Sequence, residues 1–269
     1  METPRITNIW SSIEPGLNPK RSADLDLSKP FYRFISEEAL DFLLSGSFIL
    51  RNPATWWDPY EKIIVNGDFS AISYNKPATY VACFTQANNS EAHWKMYTYG
   101  HGHCFRVEFD LINLIGSFCI AEPFSHGPML YFGKVSYGLA ENSLKAIGKK
   151  TCKYHEIAFP ATFSNDNYVD LMLLKRRAFK WEEESRLVLL SEYLQEESMK
   201  LCYDPSVLPT FVKSIKVGPS CNEAEYERLQ LKYSRIINDI TTMHHYNNQN
   251  IAFSRSQLYK PVSPIIVEA

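Results

Sequence analysis

The sequence predicts an α+β fold in which sheet dominates and helices are inserted into it and flank it. Three observations point there. Runs rich in aromatic and β-branched residues recur along the chain as FYRFI, ATYVACFT, CFRVEFD, MLYFGKVSY and FVKSIKVG, with the alternation or short continuous apolar character of strands. Capped, amphipathic segments lie between them and read as helices. A chain of 269 residues that is 45% hydrophobic can also bury a substantial core without disulfide or metal staples. No Pro/Gly/Ser linker or internal repeat divides it, which predicts one domain over 31–269 behind a polar, Pro-rich N-terminal arm over 1–30, with Trp10 and Ile13 as its anchors.

Order begins at Phe31. FYRFI is a strand, Ser36 caps a helix with Glu37 and Glu38 in its first turn, and Gly46 ends that helix before the strand SFILRN. TWWDPYEK turns at Asp58-Pro59, with Trp56 and Trp57 able to wall a pocket or to pack. ATYVACFT is a buried strand, NNSEAHWKMY a short helix, CFRVEFD a half-buried strand, LINLIGSF an apolar run, and MLYFGKVSY a further strand. Helices are expected over 140–149, 167–179, 192–199 and 222–236, with the strand FVKSIKVG before the last and a final strand near 251–258.

Composition narrows the function classes. A formal charge of −2 provides no global field for nucleic acid. The N-terminus lacks the apolar region of a signal peptide, and no apolar run reaches the roughly 20 residues of a membrane span, so a cytoplasmic protein without membrane contact is expected. The six cysteines lack CxxC spacing and read as reduced. His101-Gly-His103 and His244-His245 could offer imidazoles to a metal, but no Cys cluster, HExxH or Asp-rich spacing accompanies them, so no metal is expected. P-loop, GxGxxG and nucleophile-elbow patterns are absent.

The chemistry concentrates in KRRAFKWEEESRLVLL, Lys175 to Leu190. In an extended strand Glu182, Glu184 and Arg186 share one face, neighbours about 7 Å apart, while Glu183 and Ser185 face the other way. The apolar run behind them would anchor these carboxylates at the mouth of a core strand. The alternative is a solvated charged edge with Arg186 as a surface ion partner.

FYRF, WWDPYE, CFTQ, HWKMYTYGHGHCFRVEFD, VSY, the Lys/Trp/ExExR block and IKVGPS, in that order, resemble a large bacterial family known only as a domain of unknown function. The match spans about 31–259. The order of an Arg, a Ser/Thr and an ExE on separate strands is also similar to mono-ADP-ribosyltransferases, from which it departs in reading CFTQ where those enzymes carry a Ser-Thr-Ser run. That likeness implies a split β-sandwich binding NAD as co-substrate. By it, Glu184 is the catalytic carboxylate and Glu182 orients or deprotonates the acceptor, while Arg33, Tyr32, Thr85, Phe84 and Trp57 hold NAD. Arg33 suits a pyrophosphate through its planar fork; its alternative is a salt bridge beneath a sheet edge. Departure of neutral nicotinamide from a cationic bond needs no general acid, so one carboxylate suffices to stabilise the oxocarbenium-like ribose.

In such transferases the loop entering ExE selects the acceptor. Here it carries Arg176, Arg177, Lys180 and Trp181 with Lys175 and Phe179, a mixture of cations and rings suited to RNA or single-stranded DNA. The competing reading makes these residues the basic end of an amphipathic helix. The resemblance further implies a bacterial toxin or phage-defence effector with a cognate antitoxin. The alternative class is a non-catalytic ligand- or nucleic-acid-binding module with an aromatic pocket of Trp56, Trp57, Trp94 and Trp181. A metal-dependent nuclease would need clustered acidic ligands that the sequence does not assemble.

Overall fold

A computed structural model describes residues 6–8, 25–88, 90–98, 103–121, 129–138, 163–191, 196–243 and 250–260. After β1 (Ile6–Asn8) come β2 (Phe31–Ser36), α1 (Glu37–Leu44) and β3 (Ser47–Arg51). The Ser36 side chain accepts from the Ala39 N–H and caps α1. Gly46, at φ 89°, makes the exit into β3. Then follow α2 (Pro59–Val65), capped by Asp58, β4 (Ala78–Thr85), α3 (Glu91–Thr98), β5 (Cys104–Phe109) and α4 (Leu111–Ser117). Next are β6 (Cys119–Ala121), β7 (Met129–Lys134), β8 (Ser136–Tyr137), α5 (Asn165–Met172), β9 (Leu174–Lys175) and β10 (Glu184–Ser191). The described chain closes with β11 (Ser198–Cys202), α6 (Leu208–Phe211), β12 (Val212–Val217), α7 (Glu223–Met243) and β13 (Ala252–Arg255).

The fold is mixed α+β, built on a large, mostly antiparallel open sheet. β4 is its branching point. One edge of β4 pairs with β10 along its whole length, and β10 in turn pairs with β7. The other edge meets β2 at Tyr32↔Thr85 and β3 at Arg51↔Val81. From β2 the sheet continues through β5 and β12 to β13, and from β3 through β11 and β6 to β1. The sheet therefore forks at β4.

Alternation along β4 and β10 divides the apolar residues between two faces. Tyr80, Ala82, Phe84, Leu187 and Leu189 join the main core with Phe48, Phe105 and Phe109, covered by apolar residues of α1, α4 and α7. Val81, Val188 and Leu190 face a second cluster made with α2 and α5. Burying each leucine contributes about 2–3 kcal/mol, so the middle of β10 is fixed from both sides.

Several expected boundaries move. The helix expected over 192–199 is contradicted at its end, where Ser198 and Met199 belong to β11 and pair with Arg51 and Leu50 of β3. The helix expected over 167–179 stops at Met172, and the chain runs on through β9 into a 3-10 segment, Arg177–Glu182. The apolar run LINLIGSF is a helix capped by the Asp110 side chain. The basic run is therefore not the end of an amphipathic helix. Most of the expected arm, with Trp10 and Ile13, the helix over 140–149, and His101, His244 and His245 lie outside the described residues.

Candidate active site

The site forms where β10 begins. Glu184 is the first residue of that strand, with Glu182 at the end of the preceding 3-10 segment, so the two do not share a strand face as the sequence suggests. Glu183 between them is left-handed, at φ 45°, and turns the chain so that both carboxylates still converge on one cation. Lys175 Nζ lies 2.7 Å from Glu182 Oε2 and 2.9 Å from Glu184 Oε2. On the strand face of Glu184, Arg186 donates from Nε to Glu184 Oε1 at 2.8 Å and from Nη2 to Oε2 at 3.1 Å. Its Nη2 also meets Glu61 of α2, its Nη1 donates to the Met172 carbonyl at 2.6 Å, and its guanidinium lies 4.8 Å from the Trp56 ring centroid. The Glu184 N–H donates to the Tyr137 hydroxyl at 2.7 Å.

Every charged member of this cluster is buried, with Glu184 and Arg186 each 2% exposed and Glu182 8% exposed. Three carboxylates, Glu61, Glu182 and Glu184, face two cations, so one proton balances the set. Burial pushes the Glu184 carboxyl up, but the Arg186 guanidinium and Lys175 ammonium more than reverse this and hold it well below the usual carboxylate range. For Glu182, burial raises the pKa, Lys175 opposes, and the Glu184 charge adds to the rise, leaving it at about 7. Burial disfavours the charged Lys175, yet the facing carboxylates, Glu184 foremost, raise its pKa and keep it protonated. The two carboxylates thus differ in role by environment: one fixed anion and one group that exchanges a proton near neutrality.

The chain matches no protein-family model, no curated protein and no solved structure. Its own geometry is what bears on function.

Of the residues expected to hold NAD, Thr85 and Tyr32 align with Glu184 across three strands, in the register Glu184↔Thr85↔Tyr32. Both are buried, and Thr85 Oγ1 accepts from the Ala87 N–H at 3.0 Å. Arg33 bridges the fork, donating to the Ile49 carbonyl of β3 at 3.0 Å with its guanidinium 4.8 Å from the Phe48 centroid; burial lowers its pKa to about 10. A cavity of about 50 Å³ lies against it, lined also by Ile35, Leu43 and Phe48. Phe84 points into the main core, away from Glu184, and Trp57 is 99% exposed.

The basic run divides as well. Lys175 is part of the buried cluster, and Arg176 is engaged with Asp58 through Nε and Nη2, both at 3.1 Å, and lies over Tyr60 and Phe179. Arg177, Lys180 and Trp181 are exposed. Trp181 meets the buried His93 ring edge-on at 5.3 Å between centroids, and His93 Nε2 lies 3.2 Å from the Glu182 carbonyl oxygen. His93 thereby braces the turn that carries Glu182.

Sequence reasoning missed Glu61, His93 and Tyr97. Tyr97 is 38% exposed as a residue, but its ring stacks on Phe34 at 5.6 Å between centroids, and desolvation of its hydroxyl pushes that group well up, with Cys83, Glu182 and Glu184 adding to the effect and Arg33 opposing it. WWDPYE and HWKMY contain these residues, but nothing in their local spacing singles them out. Among the described residues, no three His, Cys, Asp or Glu groups are arranged to hold a metal ion, and no helix is long and apolar enough to cross a membrane.

Proposed function

We propose that this chain is an ADP-ribosyltransferase that cleaves the nicotinamide–ribose bond of NAD and moves ADP-ribose to a macromolecular acceptor, RNA or single-stranded DNA in preference to protein. The observation that carries this reading is the convergence of two buried carboxylates on Lys175 Nζ, Glu182 at 2.7 Å and Glu184 at 2.9 Å; the flanking cations hold the Glu184 carboxyl low, while burial and the Glu184 charge push the Glu182 carboxyl up. The bond between C1′ and the nicotinamide nitrogen breaks with its electron pair going to nicotinamide, which leaves neutral. Glu184 supplies fixed negative charge to the oxocarbenium-like ribose. The acceptor atom bonds to C1′, and its proton goes to Glu182. The fork of the sheet at β4, beside the aligned Glu184, Thr85 and Tyr32, is consistent with a split β-sandwich whose ligand lies at the split.

Arg177, Lys180 and Trp181, exposed directly before Glu182, are the acceptor contacts in this reading. Arg176, already paired with Asp58, orients Phe179 and the turn instead. A role as toxin or defence effector, with a cognate antitoxin, has behind it only the motif resemblance to mono-ADP-ribosyltransferases in the sequence, which no family-model match supports.

A second reading, a non-catalytic module whose ion cluster is purely structural, is favoured by one observation. Both Glu184 oxygens accept bonds from Arg186, and Oε2 from Lys175 as well. The two readings separate on incubation of the full chain with NAD labelled in its adenylate, with RNA, single-stranded DNA or lysate added. Nicotinamide release with label on nucleic acid supports transfer to that acceptor; label on protein alone overturns the acceptor assignment; inert NAD supports the structural reading.

A further inference from the structure

Arg106 lies in the middle of β5, is 2% exposed, and has a buried Nε without a hydrogen-bond partner among the described residues. A guanidinium removed from water ordinarily faces a carboxylate, because an unpaired buried charge is costly. Among the described residues no carboxylate forms a salt bridge with it. Glu108, two residues along the strand, influences it electrostatically, but its Oε2 accepts from Ser214 Oγ at 2.7 Å. What Arg106 does have is the Tyr32 ring, 4.5 Å from its guanidinium carbon to the centroid, and a bond from Nη1 to the exposed Asn88 side chain. Stacking on a ring fixes the plane of the fork and leaves its edge to an oxyanion.

Its location matters as much as the absence, among the described residues, of a carboxylate salt-bridged to it. Arg106 pairs with Phe34, and Phe34 and Tyr32 alternate onto the face of β2 that is continuous, through Tyr32↔Thr85↔Glu184, with the carboxylate site. Strand spacing of about 4.8 Å puts Arg106 roughly 14 Å across the sheet from Glu184. That span suits one extended ligand with a phosphate at one end and a reacting sugar at the other.

We infer that Arg106, stacked on Tyr32 and assisted by Asn88, is the oxyanion subsite of this protein and takes a phosphate of a nucleoside diphosphate ligand. Arg33, the arginine expected in that role, is engaged by the β3 backbone instead. The inference rests on the proposed NAD reaction for the direction in which the ligand lies, while the anion site itself stands on a buried guanidinium that, among the described residues, has no salt-bridged carboxylate and no partner for its Nε.

The test is calorimetry on the full chain with three probes: ADP-ribose, inorganic pyrophosphate, and nicotinamide riboside, which carries no phosphate. Arg106→Gln is expected to weaken ADP-ribose and pyrophosphate by about tenfold or more and to leave nicotinamide riboside unchanged, because a charge-assisted fork is lost only for the phosphates. The exposed Lys200→Gln, which removes a positive charge elsewhere, should change none of the three. Arg106→Lys guards against misfolding: it keeps the charge in the sheet and is expected to lose about threefold or more in pyrophosphate affinity at an unchanged melting temperature. Wild-type affinity for pyrophosphate in either folded variant overturns the inference, as does failure of the wild-type chain to bind pyrophosphate or ADP-ribose at all. Arg106-dependent binding of ADP-ribose with NAD left intact would retain the anion site and discard the transfer reaction. NAD cleavage with unaltered ADP-ribose affinity in Arg106→Gln would do the reverse.

Discussion

Glu182 and Glu184 differ by two positions in sequence and sit on the same ammonium, yet their proton affinities separate in opposite directions. The cause is unequal pairing. Glu184 has Arg186 as well as Lys175, whereas Glu182 has Lys175 alone and the Glu184 charge beside it. A carboxyl whose folded pKa is raised stabilises the fold fully below its ordinary value near 4.5 and loses that contribution as pH rises through about 7. Glu182→Gln removes this dependence, so its melting temperature relative to wild type should climb between pH 5 and 8; a constant difference would mean that Glu182 does not carry the proton. In the same variant, transfer to an acceptor should fall by about 100-fold or more and lose its rise with pH around 7. Glu184→Gln is different in kind. It strips the shared partner from two buried cations and should cost about 3 kcal/mol or more of stability in urea denaturation, which an exposed glutamate could not do.

At the scale of elements, the strands around the site were readable wherever apolar periodicity was strong: Ala78–Thr85, Cys104–Phe109 and Val212–Val217 occur where expected, although Cys104–Phe109, read as half-buried, is buried on both faces, with Arg106 packed among the covered residues. Ser36 as the cap of α1 was equally legible, and Ser36→Ala should cost about 1 kcal/mol. Gly46 carries a heavier constraint, since a Cβ there would lie 2.6 Å from the Tyr203 carbonyl oxygen at a positive φ of 89°. Gly46→Ala should therefore lower stability by about 1–3 kcal/mol with an unchanged denaturant slope, and a neutral effect would show that the α1–β3 turn differs from this geometry. β11 was not legible because a Glu-rich approach favours helix locally, while pairing with β3 decides the outcome. The role of Lys175 was hidden for a related reason: it reads as one more member of a basic run, and only the 3-10 segment and the left-handed Glu183 bring it back onto both glutamates. Glu61 comes from 125 residues away, a contact that no local pattern encodes.

For the whole molecule, the fork at β4 joins these observations. It puts Glu184, the Thr85–Tyr32 row and Arg106, whose Nε has no partner among the described residues, on connected strands, with Glu182 on the turn that enters them and Arg177, Lys180 and Trp181 exposed before it. If that basic turn receives nucleic acid, replacing Arg177 and Lys180 by Gln should weaken RNA labelling and make its salt dependence shallower, with hydrolysis of NAD in the absence of acceptor retained. Normal RNA labelling by the double variant would remove the turn from the acceptor site. The central claim, that the Lys175-held glutamates cleave NAD, is tested most directly by measuring nicotinamide release by wild type and by Glu184→Gln, each verified as folded at the assay temperature. The account predicts release by wild type above the buffer rate and a loss of about 100-fold or more in the variant. Equal release by the two proteins, or NAD left intact by wild type with RNA, single-stranded DNA and lysate all supplied, would contradict it.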